Sequence, residues 1–207
     1  MNKFIALFSI CLASLTFAQK GLAVKVGLQT TGILGAKIGD NKNGFGFYAG
    51  LSNSFKLDET FSFQPELLYS YQTFNNVNVS INELIGGIET EENLRARFDY
   101  EYKTHFIKLP LLLKYQPKDI YIEIGPELAY NLSSRVNSED KFNELPDIEG
   151  KVYNTNDFQL ALLVGSGYQF NNNISAGLRA GFGFTKFIEN SYIKNFNVSF
   201  GISYKIK

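Results

Sequence analysis

Residues 61–72 alternate in polarity. Phe61, Phe63, Pro65, Leu67, Tyr69 and Tyr71 fall on one parity; Ser62, Gln64, Glu66, Ser70 and Gln72 fall on the other, with Leu68 the only apolar residue among them. Successive side chains of a strand point to opposite faces, so this segment has an aromatic, apolar face and a polar face. A helix would scatter both sets around its circumference. A chain that repeats this pattern must bury or coat one whole side of every strand.

The pattern recurs and predicts eight strands. The first, Leu22–Thr30, sets Leu22, Val24, Val26 and Leu28 against Lys25, Gly27 and Gln29. The second, Gly44–Phe55, sets Phe45, Phe47, Ala49 and Leu51 against Gly46, Tyr48, Gly50, Ser52 and Ser54. The third runs from Phe61 to about Phe74, and the fourth from Phe98 to Gln116, with Ile107, Leu109, Leu111, Leu113 and Tyr115 opposite Lys108, Pro110 and Lys114. The fifth, Ile120–Leu132, places Glu123, Gly125 and Glu127 on its polar side. Phe158–Phe170, Ile174–Phe184 and Phe196–Ile206 complete the set, the last two with Arg179 and Lys205 on the polar side.

The apolar faces are too aromatic for one shared core. The chain has 19 Phe and 12 Tyr but no Trp, and 18 Gly fall largely on the polar faces. Apolar residues outside and small or polar residues inside describe a barrel in a membrane, with aromatics at strand ends forming interfacial girdles. The connections support this. Leu57–Thr60, Pro117–Asp119 and Asn171–Asn173 are tight, rich in turn-forming residues, and alternate with the connections 37–43, 75–97, 133–157 and 188–193, two of them long. Short turns on the periplasmic side and longer loops outside are what outer-membrane barrels show. The expected fold is therefore all-β, an eight-stranded antiparallel up-and-down transmembrane β-barrel of outer-membrane type.

The N-terminus reads as a secretory signal over residues 1–18, leaving residues 19–207 as the barrel domain. Lys3 supplies the charge, Phe4 to Leu15 the apolar run, and Ala18 the small residue at the cut. Cys11 lies inside this leader, and Ile10 before it argues against a lipidated cysteine. The remaining chain has no cysteine, hence no disulfide and no thiolate chemistry. The 20 basic and 20 acidic residues balance, and loss of Lys3 leaves one acidic residue in excess, which gives nucleic acid no basic surface to bind.

His105 to Tyr115 (HFIKLPLLLKY) and Ile122 to Tyr130 (IEIGPELAY) resemble the PorT-like family of Bacteroidetes outer-membrane β-barrel proteins. That family carries an I-P-L-L-L-K-Y strand followed by a G-P-Y-L-G-Y strand. Its D-x-G-x-x-x-G-x-G strand is matched only in part by Asp157 to Gly167, where Gln159 stands in place of a Gly. The resemblance implies an outer-membrane barrel and, for some members, a link to protein secretion. The chain departs from outer-membrane barrels generally in ending on Tyr204 to Lys207 rather than on an aromatic residue.

No catalytic, cofactor-binding or metal-ligating residues are expected. His105 is the only histidine and shares the outward parity of Ile107 and Leu109; Asp99 and Glu101 are near in sequence and also outward, but no serine motif joins them to complete what a hydrolase needs. The glycines of Gly44–Phe47 and Gly181–Phe184 precede no helix and are read as making room inside the barrel. Lys25, Glu66, Lys108, Lys114, Glu123, Glu127, Arg179 and Lys205 all fall on inward faces, and an eight-stranded barrel is just wide enough for side chains to fill. They are expected to pair in the lumen as a charge network closing the pore. The long loops are net acidic, with Glu83, Glu89, Glu91 and Glu92 in one and Glu139, Asp140, Glu144, Asp147 and Glu149 in the other.

These observations lead to a non-enzymatic, monomeric barrel in the cell outer membrane, touching lipid and meeting a protein or small-molecule partner at its extracellular loops. Two alternatives stand beside it: an outer-membrane lipid-modifying enzyme and a soluble lipocalin-like ligand-binding barrel.

Overall fold

The computed structural model describes residues 21–34, 40–80, 97–140, 148–151, 156–186 and 194–206. The expected signal segment and most of the acidic loop residues lie outside these. Eight long strands form the wall: β1 (Leu22–Leu34), β2 (Gly44–Asn53), β3 (Phe61–Ser80), β4 (Arg97–Tyr115), β5 (Ile120–Asp140), β6 (Phe158–Gln169), β7 (Ile174–Lys186) and β8 (Lys194–Lys205). Each pairs antiparallel with its sequence neighbours. Strands β1 and β8 pair from Ala23↔Lys205 to Leu34↔Lys194 and close the barrel, which leaves no edge along the wall.

The tight turns come from side chains that satisfy their own backbone. Asp58 Oδ1 accepts from the amides of Thr60 and Phe61, each at 2.7 Å, at the β2–β3 turn. Asn171 Oδ1 accepts from the amides of Asn173 and Ile174 at 2.8 and 2.9 Å at the β6–β7 turn. Both are the local side-chain bonds that make Asp and Asn turn residues. Asp58 is fully exposed, and these backbone N–H donors hold its carboxyl below the ordinary value of 3.8.

Faces follow the sequence pattern. Leu28, Ile122 and Leu178 point outward with 55%, 57% and 56% of their surface exposed, while Ser70 and Leu112 inside are at 0%. Ring pairs mark two belts on the outer surface. Phe61–Tyr115 and Tyr168–Phe170 lie at the short-turn end, with centroids 4.9 and 5.2 Å apart. Tyr130–Phe158 and Phe182–Phe196 lie towards the other end, at 5.1 and 5.2 Å. An apolar outer surface between two aromatic belts is the inverse of a soluble barrel, and the lipocalin-like alternative is set aside on this ground.

Several strands outrun the expected bounds, β3 and β5 the furthest. Strand β3 continues past Phe74 to Ser80, paired with β4 as far as Arg97, and β5 continues past Leu132 to Asp140, paired with β4 as far as Phe98. The connections expected to begin at Asn75 and Ser133 therefore begin as strand. Short segments flank this raised wall: Asp40–Lys42 pairs with β3, and Ile148–Lys151 pairs with β5. A β-bulge explains the missed continuation of β5. The pairing passes from Phe106↔Asn131 to His105↔Ser133, so Leu132 is extra and the alternation changes phase there.

Candidate functional site: a charged lumen above a polar vestibule

The inward side chains are arranged in tiers. In the middle tier, four expected residues from four non-adjacent strands meet. Arg179 on β7 donates to Glu66 on β3 through Nη1 to Oε2 at 2.6 Å and Nη2 to Oε1 at 2.7 Å. Its Nε donates to Glu123 Oε1 on β5. Lys25 on β1 donates to Glu66 Oε1 at 3.1 Å, and Gln64 Nε2 donates to the same oxygen at 2.7 Å. Glu66 is thus a buried carboxylate accepting from a bidentate guanidinium, an ammonium and an amide, a geometry in which desolvation is offset by several charge-assisted bonds.

Lys108 and Glu127 form a separate pair at 3.2 Å, closer to the loop end. Lys114 is brought to neither group. It is buried, and its Nζ lies 3.7 Å from the centroid of the Tyr121 ring. Glu123 is its direct cross-strand partner, but the ion pair of Glu123 runs to Arg179. Lys205 stands apart at the short-turn rim, lining the open mouth.

Two inward tyrosines complete the plug. The sequence pattern placed Tyr48 inside but passed over Tyr121, which has the parity of Glu123 and was legible on that basis. Tyr48 fills the space above Gly27 and Gly201, where an added Cβ would meet its phenol; Tyr121 does the same above Gly167 and Gly177. The glycines of the Gly-Phe repeats also leave room, Gly46 for the Tyr71 carbonyl and Gly181 for Asn197. Towards the loop end, Leu68, Phe74 and Phe106 are buried, and Gln29 Nε2 donates to Ser70 Oγ at 2.7 Å. Between these tiers, among the described residues, lie cavities of about 20 Å³ each, room for one water apiece. Below them the lumen opens into a vestibule of about 990 Å³ at the short-turn end.

His105 lies on the outer surface. Its Nδ1 shares a 2.6 Å hydrogen bond with the Tyr69 hydroxyl, and its ring packs 5.1 Å from that of Tyr71. Among the described residues, no group of three or more His, Cys, Asp or Glu is placed to hold a metal ion.

A closed barrel with apolar outside and charged inside finds its counterpart in sequence. Residues 17–189 match the family described as outer membrane protein beta-barrel domain. The chain belongs to that family. The barrel resides in the outer membrane, and barrels of this kind carry short turns on the periplasmic side and longer loops outside. Comparison with curated proteins finds no match. Among solved structures, the barrel is similar to Ail, the attachment invasion locus protein of Yersinia pestis, in complex with the heparin analogue sucrose octasulfate. The two are 10% identical, with a TM-score of 0.47 over 91% of this chain and 100% of that one. Neisserial surface protein A is 11% identical, with a TM-score of 0.48 over 90% and 97%. The outer membrane protease OmpT from Escherichia coli is 12% identical, also with a TM-score of 0.48 over 90% and 97%.

Proposed function

We propose that this outer-membrane barrel is a non-enzymatic, monomeric scaffold that binds a partner at its extracellular rim. We assign it to the PorT-like barrels of Bacteroidetes, with a role linked to protein secretion. The observation that carries the binding role is the raised wall. Strands β3, β4 and β5 run on to Ser80, Arg97 and Asp140, well beyond the level of Tyr71 and His105. At about 3.3 Å per residue, a further eight or so residues extend this sheet roughly 25 Å along its strands. Such a rigid platform holds loops in a fixed place for recognition. The plugged lumen beneath it supports a role other than diffusion of solutes.

The test is secretion. Deleting the gene is expected to deplete the culture medium of secreted protein. The full chain should restore it, and a chain with residues 77–98 replaced by a two-residue turn should insert but not restore it. An unchanged set of secreted proteins after deletion refutes the secretion role. Loss of lipid A modification in a His105→Ala strain would instead favour the lipid-modifying enzyme.

A further inference from the structure

At the loop end, the outward residues change from apolar to basic within one step of the strand. On β4 they run from Ile107 through His105 to Lys103; on β5 they run from Tyr130 through Leu132 to Arg135. Lys103 and Arg135 are direct cross-strand partners, and Lys151 follows opposite Arg135 in the same register. The other side of the barrel repeats the arrangement. Phe182 and Phe196 face each other on β7 and β8, their rings 5.2 Å apart, and the next outward pair in register is Lys186 with Lys194. Charges at the short-turn end are mixed instead: Asp58, Glu59 and Asp119 stand against Lys56 and Lys118.

Two cations directly opposite each other on one sheet face are destabilising, because their Cβ atoms are only about 4.5–5.5 Å apart. Here the fold creates such a pair. The alternation of β5 keeps Glu127, Ala129 and Asn131 buried, and continued unbroken it would turn Arg135 inward as well. The extra residue at Leu132 reverses the phase, so that Ser134 is buried and Arg135 is exposed beside Lys103. Re-aiming a side chain is a recurrent use of a bulge at a barrel rim. Glu101 Oε2 lies 3.1 Å from Lys103 Nζ, but the two side chains are 36% and 42% exposed. A surface pair of that kind contributes little and exchanges readily for a stronger anion.

From this arrangement we infer that the outer face just beyond the loop-end aromatic belt binds the phosphates of a phosphorylated glycolipid of the outer leaflet, one phosphate between Lys103 and Arg135 and another at Lys194 and its register partner Lys186. The position selects a lipid. Headgroup phosphates lie directly beyond the acyl chains, and Leu132, Phe182 and Phe184 just below the cations are exposed to receive such chains. The guanidinium fork of Arg135 matches two phosphate oxygens, with Lys103 adding a point charge. A soluble polyanion fits less well, because the next outward residue of β4 beyond Lys103 is the carboxylate Glu101. The site depends on the loop end facing out of the cell and is independent of the secretion role.

The experiment is native mass spectrometry of the full barrel released from detergent micelles and titrated with diphosphoryl lipid A. The comparison lipid is the same molecule stripped of its phosphates, and inorganic phosphate is the competitor. Diphosphoryl lipid A should bind saturably, the stripped lipid about tenfold more weakly or worse, and inorganic phosphate at equal concentration should not displace the lipid. Lys103→Gln/Arg135→Gln should weaken binding about tenfold, whereas Lys118→Gln at the short-turn end should bind as wild type, both with the heat-modifiable gel mobility of a folded barrel. Equal binding of the two lipids, displacement by inorganic phosphate, unchanged affinity in Lys103→Gln/Arg135→Gln, or an equal loss in Lys118→Gln would each overturn the assignment. The comparison of the two lipids uses wild type alone, so it decides the matter even where a variant fails to fold. Secretion is not measured, so failure here leaves the proposed secretion role standing.

Discussion

Removing the charge of Glu66 is the most revealing perturbation of the lumen. Glu66→Gln keeps the shape but leaves Arg179 and Lys25 sharing Glu123 alone. Three of the four bonds to Glu66 come from cations, at 2.6, 2.7 and 3.1 Å. Breaking a buried pair by removing one partner typically destabilises by about 3–5 kcal/mol, because the other charge stays buried and uncompensated. An independent figure agrees: two unit charges ~4 Å apart at an effective dielectric of ~20 interact by about 4 kcal/mol. Against a typical total stability of about 5–15 kcal/mol, that is a large fraction.

The double variant Glu66→Gln/Arg179→Gln separates this mechanism from simple loss of packing. It leaves Lys25 facing Glu123, one charge of each sign, so the balance of the tier is restored. The two single losses should therefore exceed the loss in the double variant by about 2–3 kcal/mol, at the upper end of measured couplings. The assay is urea unfolding in lipid vesicles, followed by the heat-modifiable band and by tyrosine emission. A loss below about 1 kcal/mol in Glu66→Gln, or single losses that add to within about 0.5 kcal/mol, would refute the account of Glu66 as the acceptor that neutralises this tier.

The tyrosine niches, the pore, the outer surface and the turn each yield a further expectation. Gly201→Ala drives a Cβ into the Tyr48 hydroxyl and should destabilise the barrel by about 1–3 kcal/mol; Tyr48→Phe should recover part of this in the same unfolding assay, and no recovery would mean the strain lies in the backbone. The full barrel in a planar bilayer should give no large, steady conductance, since the tiers between the vestibule and Phe106 leave cavities of only about 20 Å³; a stable open channel would contradict the plug. Tyr69→Phe removes the hydrogen bond to His105 and should shift stability by only about 0.5–1.5 kcal/mol, so a collapse of folding would give that outer pair a weight its geometry does not suggest. Asp58 has a depressed folded-state carboxyl value, so what it adds to stability is present above 3.8 and lost as pH falls through the lower folded value. Comparing wild type with Asp58→Asn across acidic pH should show the difference narrowing only below about pH 4, and a difference that vanishes near neutrality would contradict the sign.

Strand existence and facing were legible in the sequence because a period of two is a strong signal wherever one side meets lipid. Val24, Val26 and Leu28 against Lys25, Gly27 and Gln29 permit no other arrangement. Strand length was legible only as far as that contrast extends. Above Tyr71 the alternation persists in Val77–Ile81 and in Phe98–Thr104, which made a hairpin extension of the third and fourth strands legible, whereas the extra residue at Leu132 changes the phase of β5 and its continuation to Asp140 read as loop. The membership of the lumen set was legible from parity, but its pairing was not. Cross-strand register alone joins Lys114 to Glu123. In the barrel, Arg179 reaches across from β7 and takes that carboxylate, while Glu66 two strands away takes the rest of the guanidinium.

Partner choice in the lumen therefore depends on the stagger of the strands and on the reach of each side chain, neither of which any single strand encodes. Arginine can hold two carboxylates through its planar fork, whereas lysine is a point charge. Once Arg179 is placed between Glu66 and Glu123, one lysine must be left over. Lys25 stays beside Glu66 in the closed middle tier, where an unpaired charge would be least tolerable, and Lys114 is left at the edge of the vestibule. The surplus charge thus sits where the lumen opens at the short-turn end, so the packing of the plug and the polarity of the vestibule have a common origin in Arg179.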